Sequence, residues 1–326
     1  MESELVIGLD NGDESKGKIT YNLAKTGNFS HCLRFNGGNN SGRTIYVDGQ
    51  KIVNHIIPTG IVCGIKSIIG PGCVINERLF FEELDNLSKH IPNARDNIII
   101  AYNAHIVQDK HIEEEIIENK LGTTRKGIGP AYRDKHARTG IRAEDIKSFQ
   151  PFLVDVFSEI YKEDARVLCE GAQAMGLDID HGDYPYVTSS HCGLGSVINN
   201  GIPMHSIKKV HGVIKAYSTY VGTKDFQDPD DEMLKKMAIL GKEYGSTTGR
   251  LRKTNYLDID LIKKHAIMNS VDRIHVNKMD ILEELNCWKV IKDGKIIDLK
   301  SEENFTIFLS KQISFVTSWK FYYSPK

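Results

Sequence analysis

The sequence predicts an α/β fold with a mainly parallel central sheet and helices on both of its faces. Short apolar runs typical of buried strands recur along the 326 residues, and segments with helical spacing of apolar residues lie between them. A P-loop-like turn directly follows the first of these runs. The chain has no internal repeat and no Pro- or Ser-rich linker, so we expect one elaborated domain over 1–326.

The individual elements follow from local patterns. Apolar runs predict strands at 5–7, 67–69, 97–100, 166–168, 210–214 and 273–276. Apolar residues three or four positions apart predict helices at 79–87, 112–117, 152–161 and 257–268. Towards the C-terminus, the pair Asp293-Gly294 lies between two short β-like runs. Such a pair favours a tight turn, so the sequence predicts a small peripheral hairpin there.

Composition argues against several classes of protein. The net charge of -1 argues against electrostatic binding of nucleic acid. No run approaches the roughly 20 apolar residues of a membrane span, and the acidic N-terminus does not resemble a signal peptide. The six cysteines contain no C-x-x-C pair, so we expect reduced thiols, no zinc site and a cytoplasmic location.

The turn at 12–18, which we call the phosphate loop, carries the strongest local signal. Its spacing G-x-x-x-x-G-K nearly matches a P-loop, but Ile19 stands where a magnesium-binding hydroxyl is expected. Glycines let the backbone approach an anion, and the amides at the start of a helix face it. Carboxylates are unfavourable beside phosphate groups unless they bind a metal or move a proton. We therefore expect the pair Asp13 and Glu14 to do one of these.

Five further polar segments carry the residue types of a nucleotide site. Segments 36–44 and 122–130 combine glycines with amides, hydroxyls and cations, while 170–173 places a glutamine after a buried strand. Segment 245–253 joins hydroxyls to a pair of arginines, the arrangement that a substrate carboxylate requires. Segment 276–280 ends in N-K-x-D, the guanine-reading motif of GTP-binding proteins.

Together these motifs resemble the adenylosuccinate synthetase family over about 5–285. The matching motifs are G-D-E-x-K-G-K, G-G-N-N-x-G-x-T, G-T-T-x-K-G-I-G-P-A-Y, E-G-A-Q, D-I-D-H-G-x-Y-P-Y-V-T-S-S, S-T-T-G-R-x-R and K-x-D. The resemblance implies a carbon–nitrogen ligase of purine biosynthesis that joins L-aspartate to C6 of IMP with GTP hydrolysis, through a 6-phosphoryl intermediate. It also implies Mg2+ as cofactor and a homodimer.

The resemblance further implies which residues act. The catalytic residues would be Asp13, Lys16, Arg43 and Gln173. The purine nucleotide would contact Asn40, Thr124, Arg138, Gln173, Thr188, Val221 and Arg250, with Arg138 donated by a partner subunit. L-aspartate would contact Ser246, Thr247, Thr248, Arg250 and Arg252. GTP would contact Gly12, Glu14, Ser15, Lys16, Gly17, Lys18, Gly42, Thr44, Arg252, Lys278 and Asp280, and the metal Asp13 and Gly42.

In the implied mechanism, Asp13 removes the N1 proton so that the purine O6 attacks the γ-phosphoryl group. Arg43 stands where the family has a histidine that acts as an acid. An arginine can stabilise charge there but cannot donate a proton near neutral pH.

Two alternatives remain open at the level of sequence. One is a phage-type 2-amino-2'-deoxyadenylosuccinate synthetase of a diaminopurine pathway, which uses dGMP, with Asp10 as a conceivable acceptor for the purine 2-amino group. The other is a catalytically weak nucleotide-binding regulator, in which Arg43 has cost the chain its turnover.

Overall fold

The computed structural model describes residues 1–47, 49–118, 122–162, 164–245, 249 and 251–323. The strands are β1 Glu2–Gly8, β2 His31–Arg34, β3 Arg43–Val47, β4 Gln50–Asn54, β5 Lys66–Ile69, β6 Val74–Ile75, β7 Ile98–Ala101, β8 His105–Ile106, β9 Leu153–Val154, β10 Arg166–Glu170, β11 Ile207–Lys215, β12 Tyr217–Tyr220, β13 Lys253–Asp258, β14 Arg273–Asn277, β15 Lys289–Lys292, β16 Lys295–Asp298 and β17 Ser318–Phe321. The α-helices are α1 Lys16–Thr26, α2 Glu77–Ser88, α3 Ala94–Asn97, α4 Asp109–Glu118, α5 Ile128–Ala137, α6 Val156–Ile160, α7 Leu194–Asn199, α8 Glu232–Leu240, α9 Ile259–Met268, α10 Met279–Leu285 and α11 Glu302–Gln312. Short 3-10 helices lie at Thr59–Cys63, Ala143–Asp145, Lys147–Phe152, Met175–Leu177 and Met204–Ser206.

A nine-stranded parallel sheet forms the centre of the described part of the chain. Its strand order is β17-β14-β11-β1-β10-β2-β5-β7-β9, and every neighbouring pair runs parallel. The strand β1 lies near the middle, between β10 and β11. In parallel sheets, the loops that leave the carboxyl ends of the strands meet at one edge and hold the ligands. The phosphate loop therefore leaves the middle of this edge.

Both faces of the sheet are buried, as the apolar runs predict. Successive side chains of a strand point to opposite faces. In β1, Val6 packs in a small core with Ile19 of α1. Its neighbours Leu5 and Ile7 belong to the large core, which also contains Ile262 of α9. The predicted fold class is confirmed.

A second, four-stranded sheet has the order β12-β13-β15-β16. Its outer pair, β15 and β16, is the predicted hairpin, with antiparallel pairing from Lys289 to Asp298. The turn residues Asp293 and Gly294 have φ angles of 49° and 68°. A tight hairpin turn needs positive φ at both central residues, which this pair tolerates.

Two predicted helices differ from the structure. The helix predicted at 152–161 is wrong in its first half, because Leu153–Val154 pairs with β7 as an edge strand and the helix begins only at Val156. The helix predicted at 257–268 begins at Ile259, where the Asp258 carboxylate caps the amides of the first turn. Within the described ranges, no helix is long and apolar enough to cross a membrane.

Candidate active site

A cavity of about 1090 Å³ lies against the phosphate loop and the loops that follow the neighbouring strands. It is large enough for more than one small ligand, since single-ligand pockets occupy about 300–1,000 Å³. The residues that the sequence predicted for the site and that line this cavity are Gly12, Asp13, Glu14, Ser15, Lys16, Gly17, Asn40, Gly42, Arg43, Thr44, Thr124, Gln173, Thr188, Val221 and Arg252.

Other predicted site residues lie elsewhere. Lys18, Arg138, Lys278 and Asp280 are not among the described residues that line the cavity. Arg138 is exposed at the end of α5. Ser246, Thr247, Thr248 and Arg250, predicted for L-aspartate, lie outside the described residues.

Glu14 determines the shape of the phosphate loop. Its fully buried carboxylate accepts hydrogen bonds from the backbone amides of Asp10 and Gly12, both at 3.1 Å, and forms an ion pair with Lys16. A buried carboxylate that accepts several amide bonds acts as a fixed template for a turn. We expected both carboxylates of the acidic pair to bind a metal or move a proton. The Glu14 side chain does not fit this expectation, because both of its oxygens are already bonded to Asp10, Gly12 and Lys16.

Three residues of the cavity have strained backbones. Asp13, Ser15 and Gln173 have φ angles of 56°, 69° and 55°. This left-handed region is costly for residues with a side chain, and such strain collects at functional sites. Ser15 also precedes the first turn of α1, and its side chain makes no capping hydrogen bond that would compete with an anion there. The local geometry thus favours a phosphate site at this turn.

Arg43 is held between a buried carboxylate and a backbone carbonyl. Its Nε lies 2.5 Å from Oε1 of Glu170, and its Nη1 donates to the carbonyl of His55 at 2.6 Å. Glu170 also accepts from the amide and the hydroxyl of Thr59, both at 2.7 Å. Nη2 of Arg43 is buried and has no hydrogen-bond partner among the described residues. Buried donors in native proteins are normally bonded, so this one is available to a ligand.

Gln173 has a similar arrangement at the end of β10. Its Nε2 donates to Oδ1 of Asn40 at 3.1 Å, and its Oε1 is buried without a hydrogen-bond partner in the described part of the chain. Gly37 makes room for that oxygen, because a Cβ there would lie 2.8 Å from it. Gln173 therefore presents an oriented amide whose acceptor is unused.

Asp13 forms an ion pair across the cavity. Its Oδ2 lies 2.9 Å from Nε of Arg252, which precedes β13, and its side chain is 37 % exposed. The carboxylate of Asp13 is thus accessible to a ligand, while the carboxylate of Glu14 beside it is not. Asp10, the conceivable acceptor for the 2-amino group of dGMP, is only 2 % exposed and is not among the described residues that line the cavity. Its burial, together with Glu14, raises the pKa of Asp10 to about 7.

The N-K-x-D segment lies beside the phosphate loop. Nδ2 of Asn277 donates to the backbone carbonyl of Glu14 at 2.8 Å, which ties the end of β14 to the loop. Lys278, with a φ of 66°, precedes the first residue of α10. Burial lowers the pKa of Lys18, and the nearby charge of Asp280 partly opposes this. Lys18, Lys278 and Asp280 therefore share one neighbourhood next to the cavity.

Comparison with known proteins gives the family. The chain matches the family model described as adenylosuccinate synthetase over residues 5–156 and 147–313. The chain belongs to the adenylosuccinate synthetase family. It is therefore a member of a family of ligases, and the resemblance given by the motifs is confirmed.

Curated members of the family are similar over most of their length. The adenylosuccinate synthetase of Picrophilus torridus is 37% identical, over 92% of this chain and 82% of that protein. The one of Fusobacterium nucleatum is 35% identical, over 91% of this chain and 83% of that protein.

Solved structures agree with the fold. The fully ligated adenylosuccinate synthetase of Plasmodium falciparum superposes with a TM-score of 0.86 and 27% identity, covering 98% of this chain and 96% of that one. The succinoaminodeoxyadenylate synthetase of cyanophage S-2L, bound to dGMP and dATP, has a TM-score of 0.76 at 20% identity, covering 99% of this chain and 92% of that one. At that identity the second likeness concerns the fold alone.

Sequence reasoning missed the residues that support the site. Glu170 was read only as part of the E-G-A-Q motif, yet it anchors Arg43. Lys215 and Glu243 form a buried ion pair at 2.9 Å next to Arg252. Lys215 directly follows the apolar pair Val213 and Ile214 at the end of β11, and this was the available signal, because a buried ammonium requires an anionic partner.

Proposed function

We propose that the protein joins L-aspartate to C6 of IMP with hydrolysis of GTP to GDP and phosphate. One observation carries this proposal: the phosphate loop, an oriented glutamine and two arginines line a single cavity with the accessible carboxylate of Asp13. A site that only bound nucleotide would not need a carboxylate and a carboxylate-binding arginine in the same cavity. Asp10 gives the dGMP alternative no support, because it is buried away from the cavity.

In the proposed reaction, Asp13 accepts the N1 proton of the purine while O6 attacks the γ-phosphoryl group of GTP. A proton acceptor must lie within hydrogen-bond reach of the proton, and Asp13 is the exposed carboxylate of the phosphate loop. The free oxygen of Gln173 would accept from the purine, and its orientation is set by Asn40. The amine of L-aspartate then displaces phosphate from C6.

The charge that develops on the transferred phosphoryl group needs fixed donors, because most of the catalysis in such transfers is positioning and charge stabilisation. Lys16 and the amides of the first turn of α1 lie on one side of the cavity. Arg43 lies against Gly17, whose added Cβ would be 3.0 Å from Cβ of Arg43. We propose that the unpaired Nη2 of Arg43 supplies the charge that the family's histidine supplies elsewhere.

The residues present fit a magnesium ion. Mg2+ is usually bound by one or two carboxylates together with substrate phosphates and water. Asp13 offers a carboxylate that is partly exposed at the cavity, and the backbone of Gly42 lines the same space. We propose that these two residues hold the metal. When bound, the ion would supply positive charge to the phosphate oxygens.

The carboxylate of L-aspartate would bind Arg252, whose planar guanidinium suits such a group. GTP would extend from the phosphate loop towards Lys278 and Asp280, with Gly12, Glu14, Ser15, Lys18 and Thr44 along its path. Asn40, Thr124, Thr188 and Val221 would contact IMP. Arg138 is exposed and is not among the described residues that line this cavity, which suits donation to the site of a second subunit, so we propose a homodimer.

Phosphate release from the purified protein tests the proposal. GTP, Mg2+ and L-aspartate are supplied with IMP or with dGMP, and each component is omitted in turn. We expect release that requires all four components and is faster with IMP. Release only with dGMP would replace IMP by the 2-amino nucleotide. No release with any purine monophosphate would favour the regulator.

A further inference from the structure

A chain of buried charges leads from the edge of the sheet to the cavity. Lys215, at the end of β11, and Glu243, after α8, are each 1 % exposed. Oε1 of Glu243 accepts from Nζ of Lys215 at 2.9 Å and from the hydroxyl of Tyr217 at 2.7 Å. Its Oε2 accepts from Nη1 of Arg252 at 2.6 Å. Both oxygens of this carboxylate are therefore engaged, one by the interior and one by the cavity.

Arg252 is attached to Glu243 at two points. Besides the side-chain bond, the backbone amide of Arg252 donates to the carbonyl of Glu243 at 2.8 Å. The next residues outwards, Tyr244 and Leu251, form an isolated antiparallel bridge. The chain is thus joined at Tyr244 and Leu251, and Glu243 bonds both the backbone and the side chain of Arg252.

The partners of Glu243 keep its carboxylate charged despite its burial. Burial alone would raise the pKa of Glu243, but Lys215, Arg252 and Tyr217 together lower it to about 2. The carboxylate is therefore ionised near neutral pH. Asp13, the other carboxylate that Arg252 touches, is partly exposed and can exchange its partner for a ligand.

We infer that Glu243 is a positioning residue, which holds Arg252 at the cavity beside Asp13 and ready for a substrate carboxylate. Nε faces Asp13 and Nη1 faces Glu243, while Nη2 takes part in neither pair. When a substrate carboxylate takes the cavity side of Arg252, it replaces Asp13 as the partner of Nε. The identity of that substrate, L-aspartate, rests on the proposed function.

Two tyrosines of the second sheet provide a matched test. Tyr217 and Tyr256 face each other across the β12–β13 pair, both are buried, and each donates its hydroxyl to a carboxylate. Tyr217 donates to Glu243, whereas Tyr256 donates to Asp231 at 2.8 Å. Tyr217→Phe and Tyr256→Phe therefore remove equivalent hydrogen bonds, and only the first belongs to the Arg252 chain.

We expect Tyr217→Phe to raise the KM for L-aspartate by about threefold to tenfold, the equivalent of one hydrogen bond. The KM values for IMP and GTP and the kcat should change by less than about twofold, and Tyr256→Phe should leave all of them near wild type. Glu243→Gln should raise the KM for L-aspartate by at least about tenfold, since a charged partner is lost. If Glu243→Gln does not fold, the tyrosine pair decides.

Hydrogen–deuterium exchange of the peptide 243–252 gives a reading that needs no turnover. Tyr217→Phe should accelerate exchange at the Arg252 amide, and Tyr256→Phe should not. Unchanged exchange together with an unchanged KM for L-aspartate would overturn the positioning role. A wild-type protein without turnover would instead overturn the proposed function, and the exchange data would still decide whether Glu243 holds Arg252.

Discussion

Replacing Arg43 by methionine removes a buried charge and leaves an unbranched apolar side chain. Arg43 and Glu170 are 5% and 0% exposed, and their atoms lie 2.5 Å apart. Removing one partner of a buried ion pair costs about 3–5 kcal/mol, because the other charge loses its compensation. Thr59 still donates two hydrogen bonds to Glu170. We therefore expect Arg43→Met to lose about 3 kcal/mol of unfolding free energy, at the lower end of this range.

The same magnitude can be expressed as a melting temperature. At about 2.1 cal/mol/K per residue, the chain has an unfolding entropy of about 0.7 kcal/mol/K, so Tm should fall by about 4 °C. In Arg43→Met/Glu170→Gln both charges are absent, and Tm should return to within about 2 °C of wild type. Phosphate release should remain at least about 100-fold below wild type in both variants, because the charge near the phosphoryl group is not restored.

The assays are thermal unfolding and phosphate release with IMP, GTP and L-aspartate. Arg43 is expected to contribute separately to stability and to catalysis. The double variant should therefore regain the wild-type Tm without regaining phosphate release. If the double variant recovered turnover together with Tm, Arg43 would act only by supporting the fold. If Arg43→Met retained wild-type turnover, its unpaired Nη2 would have no part in the reaction.

Two further predictions concern the base of the phosphate loop. The pKa of Asp10 is raised from 3.8 to about 7, so its contribution to stability is complete below about pH 4 and is lost as pH rises through 7, a change of at most about 4 kcal/mol. Asp10→Asn should remove this loss, so the free energy of unfolding in urea should differ less between pH 5 and pH 8 than in the wild type. If the difference between the two pH values were unchanged, the raised pKa of Asp10 would be contradicted. In Gly8→Ala the new methyl group would lie 2.5 Å from Oε2 of Glu14. We expect the free energy of unfolding to fall by about 1–3 kcal/mol and calorimetry to show weaker binding of GTP. Wild-type affinity for GTP would show that the phosphate loop adapts to the methyl group.

Six of the nine strands of the central sheet could be predicted, because each has a mostly apolar run that is buried on both faces; β2, β9 and β17 were not predicted. Apart from their first residues, Ser67 and Asn97, the runs 67–69 and 97–100 are apolar, as is typical of a parallel strand covered by helices. The edge strand Leu153–Val154 could not be predicted in the same way. Its conformation comes from pairing with Ile100 and Ala101, about 50 positions earlier, whereas its local sequence favours a helix.

The site was predictable to the extent that its residues lie in motifs. Residues of the phosphate loop and Gln173 could be assigned to one edge of the sheet from their place after apolar runs, and they line the same cavity. The different environments of Asp13 and Glu14 could not be predicted, because adjacent carboxylates look alike in sequence. The role of Glu243 could not be predicted, because its partners Lys215 and Arg252 lie 28 and 9 positions away and the contacts exist only in the folded chain.

The role of Asp13 as proton acceptor is tested most directly by Asp13→Asn. This change keeps the size of the side chain and removes its capacity to take a proton. Single-turnover formation of adenylosuccinate from IMP, GTP and L-aspartate would be measured beside equilibrium binding of IMP and GTP. We predict a rate at least about 100-fold below wild type, in the range of general-base catalysis, with both nucleotides bound within about threefold of wild type. A single-turnover rate within about tenfold of wild type would contradict the assignment.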